Sequence, residues 1–252
     1  MIDFLNRKYE EYNRPAFIKT DPVQVPHLFR KKADIEIAGL FAALFAWGNR
    51  TTIINKAREL MALMDDAPHQ FVLQHEEKDR KRFLSFKHRT FSPTDLLYFL
   101  EFLQRHYKTS PSLETAFLRG MQRGDTDSTG ALDGFHRYFF SLDDAPARTR
   151  KHVAAPFRGS TCKRLNMYLR WMVRSDGRGV DFGIWKKISA AQLVIPIDLH
   201  VARVAQRLGI LERDAIDWQA ALQLTGWLRE LDADDPVKYD FALFALGVVE
   251  KF

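Results

Sequence analysis

The chain has 252 residues and a net charge of +6, and 46% of its residues are apolar. This length and composition suit a soluble protein of one large domain or two small ones, with enough apolar residues for a packed core. No apolar run approaches the roughly 20 residues of a membrane-spanning helix, and charges from Asp3 onward argue against a secretory signal peptide. The only cysteine, Cys162, excludes an internal disulfide, a cysteine-based zinc site and a four-cysteine iron–sulfur cluster.

Helical patterns follow one another along the first half of the chain. After an amphipathic opening helix, a helix from Asp34 to Gly48 begins at an acidic cap and ends at a glycine. A later helix begins at Ser92, a favourable N-cap, with Pro93 at its first position. Between them, five apolar residues share one helical face: Ile53, Ile54, Ala57, Leu60 and Met61.

The second half continues in the same way, with one exception. The run "QLVIPI" at 192–197 has an extended character, but one run cannot form a sheet. Linkers are predicted at 123–130 and 175–183, where glycine and polar residues cluster. Helical patterns cover four further stretches: 110–121, 130–142, 217–231 and 235–250.

These patterns predict an all-α fold. We expect a single helical domain over residues 1–252, made of two helical subdomains that flank a cleft. The subdomains are predicted at approximately 30–125 and 130–252, and the N-terminal helix is expected to pack on the second.

Positive charge is concentrated between residues 146 and 174, where there is no Asp or Glu. The segment is either a solvated basic face or a surface that binds the phosphate backbone of a nucleic acid, and the missing acids favour the second interpretation. A second basic cluster at 78–89 is preceded by acids and is weaker evidence for phosphate binding. The eight basic residues of the first segment are Arg148, Arg150, Lys151, Arg158, Lys163, Arg164, Arg170 and Arg174.

A predicted helix that starts near residue 163 places part of this charge on one of its faces. Ser160 or Thr161 is its predicted cap, and "PFRGSTC" before it is a turn that could present backbone N–H groups to a phosphate. The predicted buried face comprises Leu165, Tyr168, Leu169 and Met172. The opposite face comprises Lys163, Asn166, Arg170 and Arg174.

Lys163 falls in the first turn of this helix. The positive end of the helix dipole and the neighbouring arginines disfavour its ammonium form. Lys163 is therefore a candidate amine nucleophile, although a phosphate-binding lysine explains the same residues equally well.

Asp198 lies where the apolar run "LVIPI" meets a second helix, whose buried face includes Val201 and Val204. An acid at a helix N-cap stabilises the helix by about 1 kcal/mol. From these residues alone, capping is the favoured role of Asp198.

The segment "PIDLHVARVAQRLGI" resembles the one that carries the catalytic aspartate in helix–hairpin–helix DNA glycosylases. Asp198 is followed by His200, Arg203 and the stop Leu208–Gly209, as in that superfamily. The segment "CKRLNMYL" looks like the start of the second hairpin helix, with Lys163 at the position of the lyase lysine. The separation of 35 residues, from 163 to 198, is similar to the archaeal 8-oxoguanine glycosylase branch and suggests a bacterial family near it.

The resemblance implies a set of site residues. Lys163 and Asp198 would be catalytic, with no metal ion. Residues expected to contact DNA are Arg158, Gly159, Ser160, Arg164, Arg170, Arg174, Asn49 and Arg50. Residues expected to line a base pocket are Trp47, Asp240, Phe241 and Phe244.

The implied function is a DNA repair glycosylase with AP lyase activity. It would act as a monomer on double-stranded DNA with a flipped oxidised base, 8-oxoguanine first among them, in the cytoplasm at the nucleoid. No cofactor and no membrane are expected. The alternatives are a non-catalytic DNA-binding protein on the same scaffold and a helical adaptor for an acidic partner. Salt-dependent DNA affinity separates these two, because only phosphate contacts release counterions.

Overall fold

The computed structural model describes all 252 residues. The fold is all-α, as the sequence predicts, with twelve α-helices and no β-strand. The first six helices are α1 (Ile2–Tyr12), α2 (Pro15–Ile18), α3 (Lys32–Phe45), α4 (Arg50–Leu63), α5 (Pro68–Gln74) and α6 (Pro93–Tyr107). The last six are α7 (Glu114–Leu118), α8 (Thr129–Phe139), α9 (Lys163–Val173), α10 (Leu199–Arg207), α11 (Trp218–Leu231) and α12 (Asp240–Val248).

Side-chain caps set where several of these helices begin. Ser92 starts α6 as predicted, in a capping box with Asp95, and Asn49 starts α4 by accepting the N–H of Thr52 at 3.1 Å. The predicted start of α3 at Asp34 is wrong. The helix begins at Lys32, and the Asp34 carboxylate instead accepts the N–H of His69 at 2.9 Å. Satisfied backbone donors thus define these helix starts.

The chain divides into two compact units whose borders differ from the predicted subdomains. The α12 unit, which we name after the helix that it contains, comprises 1–19, 121–133 and 154–252. The aromatic unit contains 20–120 and 134–153.

The aromatic unit has a core of phenylalanine rings. Phe99 is the best example, because its ring lies 4.5 Å from that of Phe139 and 5.7 Å from that of Phe41. The predicted apolar face of α4 is confirmed, since all five of its residues are buried. Such aromatic side chains bury more area than any others, which stabilises a helical unit of this size.

The α12 unit is built around the helix for which it is named. This helix packs against α1 and α10, and its apolar residues are buried almost all round. At Gly247 the approach to α10 is so close that an added Cβ would lie 3.1 Å from the carbonyl oxygen of His200. A glycine therefore allows α12 to support the first turn of α10, which carries Asp198 at its start.

The helices of the fold are too short or too polar to cross a membrane. The longest, α6, has 15 residues, whereas a helix that spans the hydrocarbon core needs about 20.

Candidate active site

Asp198 is held at the junction between a buried segment and a helix. Residues 193–197 are buried, and the N–H of Ile195 is bound by the Thr225 hydroxyl at 3.0 Å. Asp198 then caps α10: its Oδ1 accepts the N–H groups of His200 and Val201 at 2.9 and 3.0 Å. The predicted cap is confirmed, and it fixes the orientation of the carboxylate.

Lys163 is the first residue of α9, and the turn before it is strained. Cys162 occupies the N-cap with φ of 51°, a left-handed conformation that is unfavourable for a residue with a Cβ. The predicted cap by Ser160 or Thr161 is wrong. Ser160 Oγ accepts the N–H of Cys162 at 3.1 Å, and the Thr161 carbonyl accepts Asn166 Nδ2 at 3.1 Å, so both stabilise the turn instead.

The structure brings Lys163 and Asp198 together. Lys163 Nζ lies 3.1 Å from Asp198 Oδ2, and each side chain is 25% exposed. One carboxylate therefore has two partners, with Oδ1 on the helix N-terminus and Oδ2 on the ammonium. A nucleophile candidate and an acid, far apart in sequence, thus form one solvent-accessible pair on the surface of the α12 unit.

The electrostatics keep Asp198 ionised. Burial alone would raise its pKa, but the charge of Lys163 and the N–H groups of Val201 and His200 outweigh burial and lower it. An ionised carboxylate is the form that can stabilise a developing cation.

A second acid lies behind this pair. Asp240, the first residue of α12, is buried and accepts a hydrogen bond from Arg170 Nη1. Burial, with a smaller contribution from the charge of Asp198, raises the pKa of Asp240 to about 6 although Arg170 and Lys163 oppose this. The four charged groups are thus electrostatically coupled, from the surface into the core.

The arginines of the C-terminal half of α9 are buried, so the prediction that Arg170 and Arg174 contact DNA is wrong. Their side chains are 5% and 0% exposed. Arg170 Nε donates to Asp181 at 3.3 Å, and Arg174 donates to Asp181 at 2.7 Å, Asp235 at 2.8 Å and Asp176 at 2.9 Å. A buried arginine needs such carboxylates to offset its desolvation.

The wheel prediction for α9 is therefore half right. All four residues of the predicted apolar face are buried. On the predicted polar face, Asn166 is also buried, and Lys163 alone keeps substantial exposure. Helical periodicity identified the more apolar face, but the acids that neutralise the other face come from elsewhere in the chain.

The turn before α9 differs from a helix–hairpin–helix in its first half. The element immediately before it is one short 3₁₀ turn, Pro156–Arg158, rather than an α-helix. Gly159 follows with φ of 74° and, like Arg158, is exposed, while Ser160 and Arg164 are half-buried. Their contact with DNA stays a prediction.

Two of the predicted base-pocket residues lie in the core. Phe241 is fully buried, 4.3 Å from the Arg170 guanidinium and edge-on to Phe17 at 5.3 Å. Asp240 is buried against Arg170, as described above. Neither offers surface to a base, so both assignments are wrong. Phe244 is half-buried, 6.3 Å from Phe17, and stays a prediction.

Three predicted residues belong to the aromatic unit. Trp47 is half-buried with the Arg89 guanidinium over its ring at 4.5 Å. Asn49 is exposed and caps α4, and Arg50 is half-buried. Their proposed roles toward a base or DNA stay predictions.

The sequence reasoning missed Leu199, the first residue of α10. Its side chain is 59% exposed directly beside Asp198. The helical periodicity of α10 could have predicted this exposure, because Leu199 falls outside the apolar face formed by Val201, Val204 and Ala205. An exposed leucine beside a charged pair can contact an apolar part of a ligand.

No group of three His, Cys, Asp or Glu side chains is arranged to hold a metal ion. No curated protein and no solved structure matches the chain. One protein family does, described as a protein of unknown function (DUF2400), and the match covers residues 21–249. This span includes Lys163, Asp198 and their supporting helices, and the chain belongs to that family.

Proposed function

We propose that this protein is a DNA repair glycosylase with AP lyase activity that removes an oxidised base from DNA. The observation that carries the proposal is the contact of Lys163 Nζ with Asp198 Oδ2 at 3.1 Å, in a partly exposed place. An amine beside a fixed carboxylate is the arrangement needed for nucleophilic attack at a carbon that develops positive charge.

A purely structural role explains this pair less well. Partly exposed ion pairs contribute about 0–1 kcal/mol to stability, so the pair adds little to the fold. The carboxylate already caps α10 through Oδ1. The C-terminal half of α9 is secured separately by the buried arginines. Little structural need remains for a lysine at position 163.

The reaction follows from these two groups. The neutral amine of Lys163 forms a bond to the sugar C1′ while the glycosidic bond breaks and its electron pair leaves with the base. The proton lost from the new secondary amine neutralises the departing base. Ring opening then gives a Schiff base, and β-elimination breaks the strand on the 3′ side.

Asp198 has a defined part in this sequence. Its low pKa makes it a poor proton acceptor, so it acts as a fixed negative charge. Lys163 first passes its ammonium proton to solvent water, which leaves Oδ2 free to face the sugar. When positive charge then develops on the sugar as the base departs, the carboxylate stabilises it.

Nearby basic residues support a DNA substrate. Arg203 and Arg207 are exposed on α10, which Asp198 caps, and Arg158 is exposed on the turn before α9. These arginines can bind phosphates on either side of a flipped nucleotide. The choice of 8-oxoguanine rests on the sequence resemblance.

Borohydride trapping tests the proposal. The wild-type protein is incubated with duplexes that contain 8-oxoguanine, uracil, an abasic site or no damage, and adducts are resolved by gel. We expect a covalent adduct with a damaged strand, its loss in Lys163→Gln, and at least a hundredfold slower reaction in Asp198→Asn. Lys186→Gln, at an exposed lysine outside the pair, is the matched control and should react normally.

Two other results have clear meanings. Base release without an adduct would replace the lyase by a monofunctional glycosylase. Tight, salt-sensitive DNA binding without base release or adduct would contradict the enzyme and favour the non-catalytic DNA-binding protein.

A further inference from the structure

A groove on the aromatic unit is lined by three arginines. Its volume is about 610 Å³, and no acidic side chain lines it. Arg105, on α6, and Arg119, after α7, form no ion pair with a carboxylate. Arg137, on α8, is the third arginine that lines the groove. The hydroxyl groups of Thr109 and Ser141 lie at its rim.

The backbone of the groove is built by two glycines in contact. A Cβ added to Gly134 would lie 2.4 Å from the backbone nitrogen and Cα of Gly120. Only glycine permits this approach of the α7 end to α8. The approach places Arg119 and Arg137 in the walls of one groove.

Arg119 is held in place by a stack of groups that reaches into the core. Its guanidinium carbon lies 3.7 Å from the centroid of the Tyr138 ring. The Tyr138 hydroxyl donates to Nδ1 of the buried His106 at 3.2 Å, and His106 Nε2 donates to the Ser112 carbonyl at 2.9 Å. Burial lowers the pKa of His106, so the ring is neutral and this tautomer is defined.

This stacking prepares Arg119 for an anion. A guanidinium that lies flat on a ring keeps its edge, with its N–H donors, free for hydrogen bonds in the plane. Such a fork matches two oxygens of one phosphate. Because the side chain is already ordered, little conformational entropy is lost when a ligand binds.

We infer that this groove is a binding site for a phosphate group, carried either by a free nucleotide or by a nucleic-acid strand. Three guanidinium groups, two hydroxyl groups and no carboxylate line the groove, so an anion that enters it meets positive charge and hydrogen-bond donors. The groove lies in the aromatic unit and does not include Lys163 or Asp198. The inference therefore does not depend on the proposed repair activity.

Calorimetric titration tests the site with three probes: inorganic pyrophosphate, ATP and a single-stranded 12-nucleotide DNA. We expect at least one probe to bind, and its affinity to fall at least about tenfold in Arg119→Gln/Arg137→Gln. Arg7→Gln/Arg14→Gln removes the same charge from exposed positions in the α12 unit and should leave the affinity within about twofold. Arg119→Lys keeps the charge but loses the fork, and an intermediate loss is expected.

The three probes distinguish the two sources of the phosphate group, a free nucleotide and a nucleic-acid strand. Preference for ATP or pyrophosphate with weak salt dependence identifies a nucleotide, whereas preference for the oligonucleotide with a steep salt dependence identifies a strand. In ¹⁵N-glycine-labelled protein, the bound probe should shift the amide resonances of Gly120 and Gly134. Absence of binding by all three probes, or equal affinity in the folded double variant, would overturn the inference. A failed repair assay is a separate result, because the groove does not include Lys163 or Asp198.

Discussion

The two ends of α9 carry basic residues in opposite settings. At the N-terminal end, Lys163 has one carboxylate partner and is 25% exposed. At the C-terminal end, Arg174 has three carboxylate partners and no exposed side-chain surface. Both ends look alike in sequence, yet the first has the accessibility that chemistry needs and the second the partners that a core needs. Ion pairing alone therefore does not identify a functional charge; the degree of burial separates the two roles.

The largest expected effect is on stability at the buried end. In Arg174→Met the carboxylates of Asp181, Asp235 and Asp176 lose their common partner, and Asp181 stays buried. We expect the free energy of unfolding to fall by about 3–5 kcal/mol, measured by urea denaturation. Lys163→Gln should cost less than about 1 kcal/mol in the same assay. Equal losses of unfolding free energy in the two variants would contradict the difference in burial between the two ends of α9.

The next largest effect is the pH dependence of the unfolding free energy, which distinguishes Asp240 from Asp198. Asp240 has a folded pKa of about 6, above its ordinary 3.8, so the native state binds more protons than the unfolded state between these values. Its contribution to stability is complete below about pH 4 and is lost as the pH rises through 6. In Asp240→Asn this loss, on the order of 2–3 kcal/mol, should disappear from unfolding curves taken between pH 4 and 7.

The contribution of Asp198 to stability should have the opposite pH dependence. Its folded pKa is lowered, so its stabilising contribution is present above the ordinary value of 3.8 and is lost as the pH falls through the folded pKa. Asp198→Asn should therefore lose stability relative to wild type at neutral pH but not in strong acid. The same slope for both variants between pH 2 and 7 would contradict the assigned environments.

The smallest effect separates capping from ion pairing at Asp198. Alanine removes both, and loss of the N-cap should cost about 1 kcal/mol. Asparagine keeps an acceptor for the N–H groups of His200 and Val201 but loses the charge. We expect Asp198→Asn to be more stable than Asp198→Ala by several tenths of a kcal/mol in urea unfolding at pH 7. The reverse order would mean that the side-chain cap does not stabilise α10, because both variants lose the ion pair with Lys163.

The basic segment 146–174 shows where sequence reasoning reached its limit. Its lack of acids is real, but it does not make every arginine a phosphate ligand. Arg170 and Arg174 are neutralised by four acids outside the segment: Asp176, Asp181, Asp235 and Asp240. A charge count within a window cannot include partners that only folding brings near.

The linker predicted at 175–183 illustrates the same point. Glycine and polar residues do make it irregular, as expected. However, Asp176 accepts hydrogen bonds from Tyr9 and Asn13, and Asp181 is fully paired in the core. A polar residue in an irregular segment can therefore be a structural centre when it meets a buried cation.

The sequence by itself determined the helical class, the apolar faces of α4 and α9, and the caps Ser92 and Asp198. These features depend on residues a few positions apart, whose periodicity and capping chemistry act locally. Only the tertiary structure decided that Lys163 meets Asp198, that Arg170 and Arg174 are buried, and that three arginines share a groove with Gly120 and Gly134. Those outcomes depend on distances between distant segments, which are set by how helices pack and which charges their interfaces exclude from water.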